Sequence, residues 1–492
     1  MEEPRSFVPS VYDRDHPFNG WAARLVWPAL FVLVGLVILM QWFTGDLLGR
    51  RTVEAPAEMR ASEEVRDPGV GELVVSSKLI VKRVNSGFMR TGGADITEEE
   101  FAADVKEFAG GADWEAVTRT ERVRLAIVLA ELGLEQEAAD RLEEVAHEAA
   151  PGGTLAAEAH ALHAYYAAAA GGSMGVLAAD VRDGLEARHG WFGRLALAYA
   201  LPAKDAFRTS VVRGGRELAG VTLVSIGLGV VSFLAGCVLV VIALSRARAE
   251  GWQTEISQTS AAGTVYAEAV VAFLALFVTV LGLRVLLVGQ EGTLAFVLQE
   301  GAVWVAACAV IWPVLRGVRP GAMWLDYGWE TGQGVMAEAA IGVGAFMASA
   351  PVVLVVSIVA GMVETLVLGT QEANAGVPMF REPLGDTWVA VVMGAISACV
   401  WAPLVEETLF RGALHRWMPD WLGVVGRVAL SSLLFGLVHP YSPAGMASVA
   451  AGGAVYGLLR EWRGSVIAGV VAHALHNGAI TGVQIAILAI IE

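Results

Sequence analysis

Residues 399–417 read CVWAPLVEETLFRGALHRW, an apolar run that ends in two adjacent glutamates, Glu406 and Glu407. Carboxylates at membrane depth are costly and mark function by default. On a helix, residues four apart share a face. Glu407 therefore has a partner in Arg411, with the acid on the favourable N-terminal side. Glu406 points about 100° away and has no polar partner on its own helix, only Phe410 four residues on. A carboxylate beside an apolar ring suits general acid–base work.

The rest of the chain fits a membrane setting. Of its 492 residues 55% are hydrophobic and 17% charged, and the mean hydropathy is +0.56. Average soluble domains carry about 25% charged residues. The net charge of −16 argues against a nucleic-acid partner. Cys237, Cys308 and Cys399 lie far apart in apolar runs, with no disulfide or zinc-ribbon spacing.

The expected fold class is all-α: a polytopic transmembrane bundle of about 8–9 spans with an inserted soluble helical domain. Residues 1–21 form a polar tail, and 22–43 a retained anchor rather than a cleaved leader. Residues 44–95 read as a linker. The acidic excess lies mostly between residues 54 and 201, and residues 96–203 show an Ala-rich helical pattern. There, TERVRLAIVLAELGLEQEAADRLEEVAHEAA is a helix, a Leu-Gly-Leu turn and a second helix. It resembles one tetratricopeptide unit, or equally an ordinary helical hairpin, and offers a surface for a protein partner. Further helices are expected at about 154–170, 175–188 and 192–201. Residues 217–315 supply additional spans, and 320–492 form the domain that carries the polar clusters. Loops with Arg246 and Arg248, Arg316 and Arg319, Arg411 and Arg416, and Arg460 and Arg463 are placed in the cytoplasm. Lys204, Arg208, Arg213 and Arg216 conflict with that alternation and leave the side of the soluble domain open.

Two further clusters follow the glutamates: Phe435 with His439, and His473 with His476 and Asn477. Counting 1.5 Å per residue from turns near 417–423 and 460–464, Glu406 lies roughly 15 Å, His439 roughly 20 Å, and His473 and Asn477 roughly 12 to 18 Å above a common floor. Three helices thus bring polar residues to one depth. Singly each has a structural reading, and His476 is read as an interhelical hydrogen bond. As a set they favour one site. A carboxylate and a histidine can deprotonate water, and a histidine and an asparagine can stabilise a tetrahedral oxyanion. A Zn²⁺ on Glu406, His439 and His473 is the alternative, although no His-Glu-x-x-His spacing is present.

EETLFR, FGLVH and HALHN resemble the Glu-Glu-x-x-x-Arg, Phe-x-x-x-His and His-x-x-x-Asn motifs of the CAAX protease and bacteriocin-processing (CPBP, Abi) family of intramembrane proteases. The resemblance covers about residues 320–490. It implies an endopeptidase acting on a membrane-associated peptide or protein, of prenylated CAAX type or another. Glu406 and His439 would activate water, His473 and Asn477 would bind the oxyanion, and Glu407, Arg411, Phe410, Phe435 and His476 would support them. Membrane lipid is the surrounding medium, and a multi-pass protein of the cell membrane is expected. Two other readings stand beside it. One is a catalytically silent scaffold or immunity-type protein acting through its helical domain. The other is a proton relay, for which Arg284, Glu300, Glu338 and Glu364 are scattered candidates.

Overall fold

A computed structural model describes residues 22–53, 119–131, 133–149, 152–173, 175–202, 204–250, 263–286, 304–368, 387–418, 420–439 and 441–491. Every regular element among them is helical. The expected tail at 1–21, most of the linker and residues 96–118 lie outside the described residues, as do Glu300 and the side chain of Arg284. The chain divides into two compact units, Met1–Leu47 with Gly227–Gly482, and Leu48–Ile226 with Val483–Glu492.

The unit containing residues 119–211 is built from α2 (Arg119–Glu131), α3 (Glu135–Glu148), α4 (Thr154–Ala170), α5 (Ala179–His189) and α6 (Trp191–Ala198). The Leu-Gly-Leu turn joins α2 to α3. Gly133 takes φ +86°, and the Leu134 amide donates to the Leu129 carbonyl at 3.0 Å, closing the end of α2. Ile127, Leu129, Leu142, Leu162, Tyr166, Leu185 and Leu195 form its core. Two polar ties fasten the surface: Arg208 to Glu131 at 2.6 Å, and the Tyr199 hydroxyl to Glu135 at 2.7 Å. Helix α7 (Ala206–Glu250) then runs unbroken for 45 residues. The expected span at 218–244 is therefore the distal part of a longer helix.

The second unit takes in α1 (Ala22–Val53) as far as Leu47, α7 from Gly227, and α8 (Gly263–Leu286). The C-terminal helices follow: α9 (Pro320–Tyr327), α10 (Val335–Leu368), α11 (387–417), α12 (Gly423–Leu437), α13 (Pro443–Arg463) and α14 (Ile467–Ile491) as far as Gly482. Among the described residues three helices are long and apolar enough to cross a membrane, within Leu223–Ala249, Val335–Val367 and Val391–Trp417. Shorter apolar helices cover Leu25–Met40, Thr264–Val280, Trp304–Leu315 and Gly423–Leu437. Val231, Leu234, Val238 and Leu244 of α7 and Val355, Ile358 and Val359 of α10 are exposed. So continuous an apolar surface suits hydrocarbon rather than water.

Residues next to both of the turns expected as a floor reach one segment, 326–330. Arg416 reaches Asp326 at 3.1 Å, Ser465 Oγ donates to the Glu330 carbonyl at 2.8 Å, and the Val466 amide to the Gly328 carbonyl at 2.9 Å. The loop expected at 410–423 is helical as far as Trp417, and Arg411 within it is fully buried. Arg460 is buried too, and Arg463 pairs with Glu338 at 2.6 Å. Much of the charge assigned to loops is thus spent inside the bundle. Close helix approach depends on glycine at Gly436, where a Cβ would collide with the Met446 carbonyl of α13.

Candidate active site

Helix α11 departs from α geometry twice, with π segments at Ser397–Trp401 and Glu407–Leu414. π segments of this kind recur at functional sites. The first has a local cause. In a π turn the amide of residue 403 would donate to the carbonyl of residue 398, but residue 403 is Pro403 and has no N–H. The Ala398 carbonyl accepts instead from Asn477 Nδ2 of α14, at 2.8 Å. Asn477 thereby joins α14 to α11 and keeps one further Nδ2 hydrogen for another acceptor.

The second π segment carries the Glu407–Arg411 pair. Their side chains meet at 3.0 Å with both residues inaccessible. A π turn holds about 4.4 residues, so a spacing of four still places two side chains near one face. Arg411 Nη2 donates to the Gly453 carbonyl at 3.0 Å. Its guanidinium sits 4.2 Å from the Phe435 ring centre and 5.5 Å from that of Tyr456, with cation–π attraction from both. Gly453 is required because a Cβ there would lie 2.6 Å from Arg411 Nη2.

The helical phasing that separates the two glutamates is only part of their geometry, because both address one imidazole. His473 Nδ1 lies 3.1 Å from Glu407 Oε1, and His473 Nε2 lies 3.9 Å from Glu406 Oε2. The ring stacks on Tyr456, centres 5.4 Å apart at 19°, and meets the edge of Phe435 at 5.8 Å. A carboxylate on Nδ1 fixes the ring and aims Nε2 at Glu406. Glu406 Oε2 is buried and has no hydrogen-bond partner among the described residues, and the same holds for Glu407 Oε2 and Arg411 Nε.

His439 lies just beyond the C-terminus of α12. Its Nδ1–H donates to the Phe435 carbonyl at 2.7 Å, one of the carbonyls a helix end leaves over. That bond leaves Nε2 as the basic nitrogen. The ring packs at 4.7 Å on Phe435 and 5.9 Å on Tyr441, within electrostatic reach of Glu406. Phe410 packs on Phe435 at 5.1 Å and is part of the core. Among the described residues His476 hydrogen-bonds no member of the cluster. The structure therefore gathers Glu406, Glu407, Arg411, Phe435, His439 and His473, sets Asn477 on the adjoining wide turn, and leaves His476 aside.

Sequence reasoning passed over a neighbouring buried network. His415 Nε2 meets Glu461 at 2.8 Å and His415 Nδ1 meets Ser431 at 3.1 Å, while Arg427 holds Glu461 through Nε at 2.8 Å and Nη2 at 3.1 Å. The signal was present, since all four are polar residues within apolar helices. Glu364 and Glu338 were noted only as scattered charges, yet each has a partner on α13.

For a metal the donor set fits poorly. Among the described residues no three His, Cys, Asp or Glu side chains converge as ligands.

No curated protein and no solved structure matches the chain. A family model does match, over a minority of the 492 residues but across all three motifs and both π segments. Residues 388–479 match Type II CAAX prenyl endopeptidase Rce1-like, and this C-terminal segment belongs with the CAAX protease family that its motifs resemble.

Proposed function

We propose that the protein is an intramembrane endopeptidase that hydrolyses a peptide bond of a membrane-associated protein or peptide, of prenylated CAAX type or another. One observation carries the reading. Glu406 presents a buried carboxylate oxygen that accepts no hydrogen bond among the described residues, 3.9 Å from His473 Nε2. Buried polar atoms are nearly always satisfied, so an orphan in a polar cluster reserves its bond for another molecule.

In this account a water bonds to Glu406 and to the free Nε2 of His439. Glu406 takes its proton as the oxygen attacks the scissile carbonyl carbon. The carbonyl electron pair moves onto oxygen, where Asn477 Nδ2–H and the protonated Nε2 of His473 stabilise it. On collapse the C–N bond breaks, and Glu406 returns the proton to the leaving amine. Glu407 and Arg411 hold His473 and the wide turn in place. The helices at 22–47, 223–249, 263–286, 304–315 and 335–491 would together make the eight or nine crossings of a multi-pass cell-membrane protein.

The test is cleavage of a membrane-embedded peptide by the purified protein, with and without a strong chelator. Glu406→Gln and His439→Ala are expected to abolish turnover, and the chelator to leave it unchanged. Full turnover by Glu406→Gln would sink the assignment, and loss with the chelator alone would restore the metal reading.

A further inference from the structure

We infer that Glu364, outside the family-matched segment, is a positioning residue that holds the His439 turn in register from α10. This rests on the hydrolytic reading above. Helix α12 has 15 residues, and the turn after it connects directly to α13. At 1.5 Å per residue α12 rises about 22 Å, short of the roughly 30 Å of a bilayer core. The backbone of Val438, His439, Tyr441 and Ser442 is therefore irregular at membrane depth, which is tolerated only where the protein satisfies its polar groups.

Glu364 does so. The first residue of α13, Pro443, has no N–H. The second, Ala444, donates its amide to Glu364 Oε2 at 2.7 Å. The third, Gly445, donates to Ser442 Oγ at 3.4 Å, and that hydroxyl passes its own proton to Glu364 Oε2 at 3.1 Å. One carboxylate, 7% exposed, thus completes the cap from a different helix. The cap begins one residue after Tyr441, whose amide donates to the His439 carbonyl at 2.9 Å and whose ring stacks on the imidazole. A hydroxyl pair, Ser357 with Ser448 at 2.7 Å, fastens α10 to α13 further along. Moving the cap moves Tyr441, and with it the direction of His439 Nε2.

Glu338, near the other end of α10, provides the contrast. It is just as buried, but its partner Arg463 lies far along α13 from the His439 turn.

The experiment uses the full chain in lipid nanodiscs, a membrane-embedded peptide as substrate, and nitrogen-15-labelled histidine for the ring resonances. Glu364→Ala should lower kcat at least tenfold with KM within about twofold, and should shift the His439 resonances. Glu364→Gln, whose amide oxygen still accepts from Ala444, should recover most of the rate. Ser442→Ala should give a smaller loss of the same kind. Glu338→Gln should lower the melting temperature and leave turnover per folded molecule unchanged. Wild-type kcat in Glu364→Ala, or no rescue by Gln, would overturn the inference. If Glu364→Ala does not fold, Ser442→Ala and Glu364→Gln decide by the same readouts. If the wild type cleaves nothing, the hydrolytic reading fails by itself. The positioning claim then stands or falls on whether the His439 resonances move.

Discussion

Two buried clusters in the C-terminal helices use the same three side-chain types and differ in how fully they are satisfied. Around Glu461, both carboxylate oxygens are taken by Arg427 and one also by His415, whose other nitrogen meets Ser431. Around Glu407, Arg411 and His473 share one oxygen, while Glu407 Oε2, Arg411 Nε and Glu406 Oε2 have no hydrogen-bond partner among the described residues. A saturated network holds helices together. An unsaturated one keeps binding capacity for something that arrives. A third Glu–His–Arg group, Glu158 with His189 and Arg188, lies outside the candidate spans and belongs to the helices of residues 119–211.

Substitution can break this contrast. Glu406→Gln should cost about 10²–10⁴ in kcat, the usual reach of a general base, with the melting temperature unchanged, as read by peptide cleavage beside thermal unfolding. In the saturated cluster the loss should be one of stability. Glu461→Ala removes the buried carboxylate that Arg427 and His415 share, and breaking a buried pair costs about 3–5 kcal/mol, measurable as a lower unfolding midpoint in detergent.

Asn477→Ala should fall between the two. It removes the donor to Ala398 and, in the proposed mechanism, one oxyanion donor as well, so both the midpoint and kcat should drop. An oxyanion donor alone is worth about 10²–10³ in rate. A midpoint that does not move would show the bond to Ala398 to be incidental.

The smallest effect concerns pH. Burial, the largest influence on His189, holds its folded pKa below the ordinary value, and Glu158 opposes this more weakly. The unfolded chain therefore binds the proton first. Stability from His189 is complete above about pH 6.5 and is lost as pH falls through the lowered folded pKa. Hydrogen-exchange protection factors in α4 and α5, corrected for the intrinsic pH dependence of exchange, should fall over that window, and His189→Asn should flatten the trend.

What the sequence disclosed follows the range of its signals. Glu407 and Arg411 are four apart on one helix, and Phe435 and His439 are four apart across the end of another, so spacing alone brings each pair together. The Leu-Gly-Leu turn was legible for the same reason. Apolar length marked most helices, although it could not show that 206–250 is continuous or that the stretch at 410–417 is helical rather than loop. The π segments escaped notice because residue type does not reveal whether a carbonyl bonds four or five residues on. Pro403 was a clue only once Asn477 was seen opposite Ala398. His415 with Glu461 and Glu364 with Ala444 are 46 and 80 residues apart, beyond any periodicity.

The central claim is that the unpartnered carboxylate serves chemistry and the saturated one serves structure. The most direct measurement takes Glu406→Gln and Glu461→Gln in one preparation and reads peptide cleavage and unfolding midpoint for each. Glu406→Gln should lose cleavage and keep its midpoint, and Glu461→Gln should lose its midpoint and keep cleavage per folded molecule. Cleavage by Glu406→Gln at the wild-type rate would contradict the account.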